Sequence, residues 1–141
     1  MKTIETWYID KLKTVSEANC SENHWVKSRR HKLQKAKVKV AMRTQRPPPF
    51  TDLPERLNDK NYRTLCPITV IVTRIAPRQL DCQDNLPCSL KWIVDSIAEE
   101  LTGDYRPGRA DDATWITWEY RQEKGKPKQY AIKIEIVVED D

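Results

Sequence analysis

Carboxylates and an amide are concentrated in Leu80-Asp81-Cys82-Gln83-Asp84-Asn85-Leu86, and a further acidic pair, Asp111-Asp112, stands beyond the next apolar stretch. Hard divalent cations are held by convergent oxygen ligands, magnesium by a few carboxylates completed with water or phosphate. Two or three aspartates meeting in space would suit hydrolysis of a phosphodiester by a metal-activated water. Lys91, two helical turns beyond Asp84, would add fixed positive charge near such a phosphate. The same residues have plainer uses, because an aspartate ahead of a helix is commonly its cap and an Asp-Asp pair in a loop is commonly just solvated. Cys20, Cys66, Cys82 and Cys88 contain no CxxC pair and read as free thiols.

For these oxygens to meet, a strand end, a helix start and a loop must come together. Leu65 to Ala76 (LCPITVIVTRIA) is dense in β-branched residues and reads as a central strand buried on both faces, with Pro77 to Asp84 as a polar connection. Leu86, Leu90, Val94, Ile97, Ala98 and Leu101 then recur on one helical stripe that ends at Gly103, with Pro87 in the first turn and Asp84 or Asn85 as cap. Upstream, Thr3 to Ile9 reads as a short strand. His24 to Met42 reads as a basic helix whose apolar stripe is Val26, Leu33, Ala36 and Val40, ended by Arg46-Pro47-Pro48-Pro49. Thr114 to Tyr120 and Gln129 to Val138 read as strands joined through a Gly-Lys-Pro turn, which predicts a hairpin. The order β-α-β-α-β-β predicts an α+β domain, a small mixed β-sheet of about four strands with two helices packed on one face.

The chain has 141 residues, 38% apolar and 33% charged, which predicts one domain with one core. No run of eighteen apolar residues exists and Met1 to Asp10 lacks the apolar core of a secretory signal, so neither a membrane partner nor export is expected and a cytoplasmic location is. The net charge is only +4, but its distribution is uneven. Between His24 and Arg46 there are nine cations and no carboxylate, whereas Glu135 to Asp141 carries four acids. Such a basic segment predicts a polyanionic partner, with Arg29, Arg30, Lys32 and Lys35 among the contacts.

The stretch from Asp81 through Asp84-Asn85-Leu86, the helix Ser89-Leu90-Lys91 to Asp95-Ser96-Ile97-Ala98, the loop Asp111-Asp112-Ala113, and Trp118-Glu119-Tyr120-Arg121-Gln122 with Lys124-Gly125-Lys126 together resemble the RusA-type Holliday junction resolvases. The likeness covers the C-terminal half well and the N-terminal half loosely, through Asn23-His24-Trp25 and the basic helix. It implies a homodimeric, Mg2+-dependent endonuclease of DNA recombination and repair that cuts four-way junctions symmetrically. Its aspartate directly before Asn-Leu falls on Asp84, and the second aspartate of its Asp-Asp loop falls on Asp112. Its other metal-binding aspartate would stand at Cys82, and here the acid is one residue further back, at Asp81. Its catalytic lysine corresponds to Lys91 if Asp95 is the anchor, and its strand-end arginines correspond to Arg78 and Arg74. The resemblance thus implies Asp81, Asp84 and Asp112 as metal ligands with Lys91 assisting; a non-catalytic DNA-binding protein on the same fold is the alternative, since the residue inserted before Asp84 would alter the metal site.

Overall fold

The computed structural model describes residues 2–15, 23–44, 68–81, 83, 85–102 and 116–138. The elements are β1 (Lys2–Asp10), α1 (His24–Thr44), β2 (Ile68–Ala76), α2 (Asn85–Thr102), β3 (Ile116–Lys124) and β4 (Ala131–Val138). They form an α+β fold with one mixed sheet of strand order β1-β4-β2-β3. β1 and β2 both run antiparallel to β4, while β2 and β3 are parallel and are connected through α2.

One sheet face is covered by the two helices. Trp7 and Ile9 of β1 lie opposite Ile134 and Ile132 of β4, and Ile68, Val70 and Val72 of β2 lie opposite Ile116, Trp118 and Tyr120 of β3. These pack against Leu86, Leu90, Ile93, Ile97 and Leu101 of α2 and against Val38 and Met42 of α1. A bulge between Thr3 and Glu5 resets the alternation of β1 so that Trp7 and Ile9 point inward. On the other face Ile71, Thr73 and Ile75 of β2 are also buried. There Lys133 of β4 reaches Glu123 of β3 at 3.3 Å across β2, so long charged side chains shield the β-branched strip beneath them.

Two expectations are corrected. β3 and β4 make no hairpin, because β2 lies between them. β2 is buried on both faces and takes a partner along each edge, so the 125–130 connection must cross its end, a step of roughly 9.5 Å or two strand spacings. Gly125 N donates to Ala76 O at 2.8 Å there, and Lys128 takes a positive φ of 62° to complete the turn. A Cβ on Gly125 would stand 3.2 Å from Ile75 Cγ2 and from Gln129 O, so the crossing admits little more than glycine.

The apolar stripe expected of α1 is not the face it buries. Leu33 is 56% and Val40 61% exposed, and Val26 and Ala36 also face solvent. The buried residues are Gln34, Val38, Ala41 and Met42. Gln34 is accepted inside because its amide donates to Lys13 O at 3.4 Å, and the rotation that buries it turns Leu33 and Val40 outward. Asn23 caps the helix, its Oδ1 accepting from Val26 N at 3.0 Å.

Candidate functional site

The C-terminal end of β2 is fixed by side-chain hydrogen bonds. Gln122 of β3 clamps the backbone of Leu80, accepting from Leu80 N at 2.9 Å and donating to Leu80 O at 2.6 Å. Asp81 follows, exposed at the start of α2: its Oδ1 accepts from Asn85 N at 3.4 Å, its Oδ2 accepts from the Asn85 amide, and its carbonyl accepts from Leu86 N at 3.0 Å. Asp81 therefore helps to cap α2, a task expected of Asp84 or Asn85; Asp84 lies outside the described residues.

The segment after β1 crosses the start of β4 to reach the same place. Leu12 N donates to Tyr130 O at 3.2 Å, and Lys37 of α1 donates to Lys11 O at 2.6 Å. Thr14 then meets Arg74 of β2, whose Nε donates to Thr14 Oγ1 at 2.9 Å and whose Nη1 donates to Arg78 O at 2.7 Å. Burial lowers the pKa of this guanidinium below its ordinary value, a sign of what desolvation costs the charge. The space between these walls is a cavity of about 510 Å³ lined in part by Lys13, Arg74, Arg78 and Tyr130, and the Lys13 ammonium lies 5.1 Å from the centre of the Tyr130 ring. It adjoins, through Lys13 and Val15, a cavity of about 550 Å³ beside α1 that Lys11, Arg29, Arg30 and Lys37 line. Among the described residues no carboxylate lines either one.

The residues anticipated for the site are distributed unequally. Arg78 is exposed at the cavity rim, and Arg29 and Lys32 are exposed on α1 with Arg30 half-buried. Arg74 and Lys35, both anticipated as DNA contacts, have structural tasks in this fold. Arg74 is 6% exposed and braces Thr14 and Arg78. Lys35 pairs with Glu99 of α2 at 2.9 Å, in company with Lys39 at 3.6 Å, while Arg43 grips Glu100 through two hydrogen bonds of 3.0 and 2.9 Å. Part of the basic segment is thus a seam between the helices. The lysine anticipated for catalysis, Lys91, is exposed, with its ammonium 5.3 Å from the centre of the Trp92 ring; that ring stacks on His31 of α1 at 4.2 Å.

Asp84, Asp112 and the thiols other than Cys88 lie outside the described residues; Cys88 is a free thiol. Among the described residues no group of three His, Cys, Asp or Glu side chains converges to hold a metal ion, and Asp81 spends both oxygens on Asn85. The described donors alone do not make a magnesium site; the one that the resemblance implies would need Asp84 and Asp112. The flanking geometry sets a condition on that pair. Leu80 is tied to Gln122, whereas β3 begins with Ile116 opposite Ile68, so roughly 20 Å of strand separates the two ends. A shared ion requires the step from Asp112 to Ile116, with a reach of roughly 14 Å, to run back along β3, and leaves roughly 6 Å to be closed by the segment that bears Asp84 and by the side chains themselves.

Sequence reasoning missed Lys13, Thr14 and Tyr130 and quoted Gln122 only within the motif of the resemblance; the roles of all four arise from tertiary placement. The adjacent acids Glu99-Glu100, at the end of an otherwise apolar stripe, were the one visible sign that α1 cations had internal partners. Comparison with family models, with curated proteins and with solved structures finds no match for the chain. Among the described residues no helix is long and apolar enough to cross a membrane.

Proposed function

We propose that the chain is a Mg2+-dependent endodeoxyribonuclease of the RusA type that acts on branched DNA as a homodimer. The observation that carries this reading is the continuous cationic track from Arg29 and Arg30 through Lys11 and Lys13 to Arg78, which ends beside the Asp81 turn. A phosphodiester-cutting site needs this pairing of cations along the backbone and acids at its end. Magnesium, once held by Asp84 and Asp112 with Asp81, would supply a water of lowered pKa. The chain's own part is to bind and orient: Arg29 and Lys32 take phosphates at one end, Arg78 holds the strand at the turn, and Asp81 stabilises the start of α2, from which Lys91 projects.

The test is cleavage of a synthetic four-way junction in magnesium. The native chain should cut and Asp84→Asn should bind without cutting. If the native chain binds the junction in a salt-sensitive way and never cuts, a non-catalytic DNA-binding protein is the correct reading. That second reading is favoured by the engagement of both Asp81 oxygens in capping.

A further inference from the structure

Of the described tryptophans, Trp7 is buried and Trp92 and Trp118 are half-buried, whereas Trp25 is 73% exposed. An indole in solvent forfeits the burial that normally holds tryptophan inside a fold. A lone exposed apolar residue is ordinary on a protein surface, so the surroundings of Trp25 decide whether it has a use.

Trp25 stands in the first turn of α1, which Asn23 anchors twice: Val26 N donates to Asn23 Oδ1 at 3.0 Å and Lys27 N donates to Asn23 O at 3.2 Å. The indole meets the His24 ring at 64° with centroids 5.8 Å apart, an edge contact and not a stack. Trp92 shows the contrast, since its ring is stacked on His31 at 4.2 Å. An aromatic side chain on an anchored helical turn loses little conformational freedom when a flat ligand covers it.

The chemistry of its neighbours selects that ligand. Arg29 and Lys32, four and seven residues on, share the helix face of Trp25 and are exposed, roughly 6 and 10.5 Å along the axis. α1 contains no carboxylate, and the positive end of its dipole lies at this same turn. A protein hot spot would seat the tryptophan within an apolar ring, but the exposed Leu33 and Val40 lie more than two turns away, beyond Arg29 and Lys32. An aromatic face followed by acid-free cations is instead the make-up of surfaces for unpaired nucleic acid, where the base stacks and the cations take the adjoining phosphates.

We propose that Trp25 is a stacking platform for one unpaired base of the bound DNA, so that the chain selects branched DNA with an unstacked base at the branch point over fully paired duplex. This rests on the reading of the chain as a nucleic-acid binder and deepens it, since the cationic track and the acids say nothing about unpaired bases. Stacking accepts any base with an open face, so the selection is for structure and not for sequence.

The experiment is DNA binding by the full chain in EDTA, where no cutting intervenes. Two probes are used, with every arm closed by a hairpin so that no duplex end offers a base: a fully paired duplex, and a four-way junction bearing one unpaired 2-aminopurine at the branch point. The native chain at saturation is expected to quench the 2-aminopurine. Trp25→Ala is expected to bind the junction about 5- to 150-fold more weakly, the worth of one stacked base, and to leave the fluorophore bright at saturation. Trp25→Phe should retain most of both effects, and circular dichroism checks that both variants fold. Stacking releases no counterion, so the slope of log K against log salt should be the same in Trp25→Ala as in the native chain; a substitution that merely loosened α1 would lower it through Arg29 and Lys32. Junction affinity and quenching unchanged in Trp25→Ala overturn the platform, and so does an equal loss of affinity for both probes. Self-association of the native chain that is lost in Trp25→Ala, with DNA binding unchanged, assigns the indole to a second copy and also overturns it. Magnesium-dependent cutting is scored separately: cutting by the native chain with none of these effects in Trp25→Ala removes only the platform, and quenching that depends on Trp25 without any cutting removes only the nuclease reading.

Discussion

At the scale of single residues, the decisive distinction is between charges that face solvent and charges that hold the fold. Arg43 and Lys32 both belong to α1, yet only Arg43 meets a buried carboxylate, that of Glu100. Arg43→Ala leaves that carboxylate 5% exposed and short of its bidentate partner, and urea unfolding should show a loss of about 1–3 kcal/mol. Lys32→Ala should stay within about 0.5 kcal/mol in the same measurement. Asp81 offers a sharper separation of roles. Asp81→Asn keeps an oxygen for Asn85 N and should cost well under about 1 kcal/mol, whereas Asp81→Ala should cost about 1 kcal/mol through loss of the cap. If junction cutting disappears in the asparagine form while its stability is kept, Asp81 serves the metal; if cutting persists, the residue is a cap only.

At the scale of elements, legibility followed how many neighbours each element has. The stripe of α2 was readable because Leu86, Leu90, Val94, Ile97, Ala98 and Leu101 all point to a large apolar core and are all buried. The face of α1 was not readable, because Val38, Ala41 and Met42 form a second stripe of similar apolarity, and a hydrogen bond to Lys13 O makes Gln34 an inside residue. Chain pattern cannot rank two such stripes when the deciding contact comes from another segment. Met42→Ala should therefore cost about 2–5 kcal/mol in thermal or urea unfolding, and Val40→Lys about 0.5 kcal/mol or less. The opposite ranking would mean that the exposed stripe is the packed one. The turn bearing Asp81 was legible as a strand-to-helix connection, but the arms that converge on it from β1 and β4 were not, since nothing local ties Lys13 or Tyr130 to Arg74.

For the whole molecule, the sheet order β1-β4-β2-β3 explains why the predicted strands were right and their pairing was not. Short spacing between Lys124 and Ala131 favours a hairpin, but a nine-residue strand buried on both faces has a stronger claim to the space between them. Gly125→Ala tests the crossing, because its Cβ would press on Ile75 and on the backbone of Gln129. A drop in Tm of several degrees is expected, and an unchanged Tm would show that the crossing has slack.

That crossing also bears on how the chain can be made. β4 supplies the strand neighbour of β1 and one of the two neighbours of β2, so β1 has no strand partner, and β2 has only β3, until residues 131–138 have emerged from the ribosome. Completion of the sheet therefore waits for β4, and β1 and one edge of β2 pass that interval unpaired. Nascent chains arrested before residue 131 should remain protease-sensitive, and resistance should arise only with arrest points that expose the last strand.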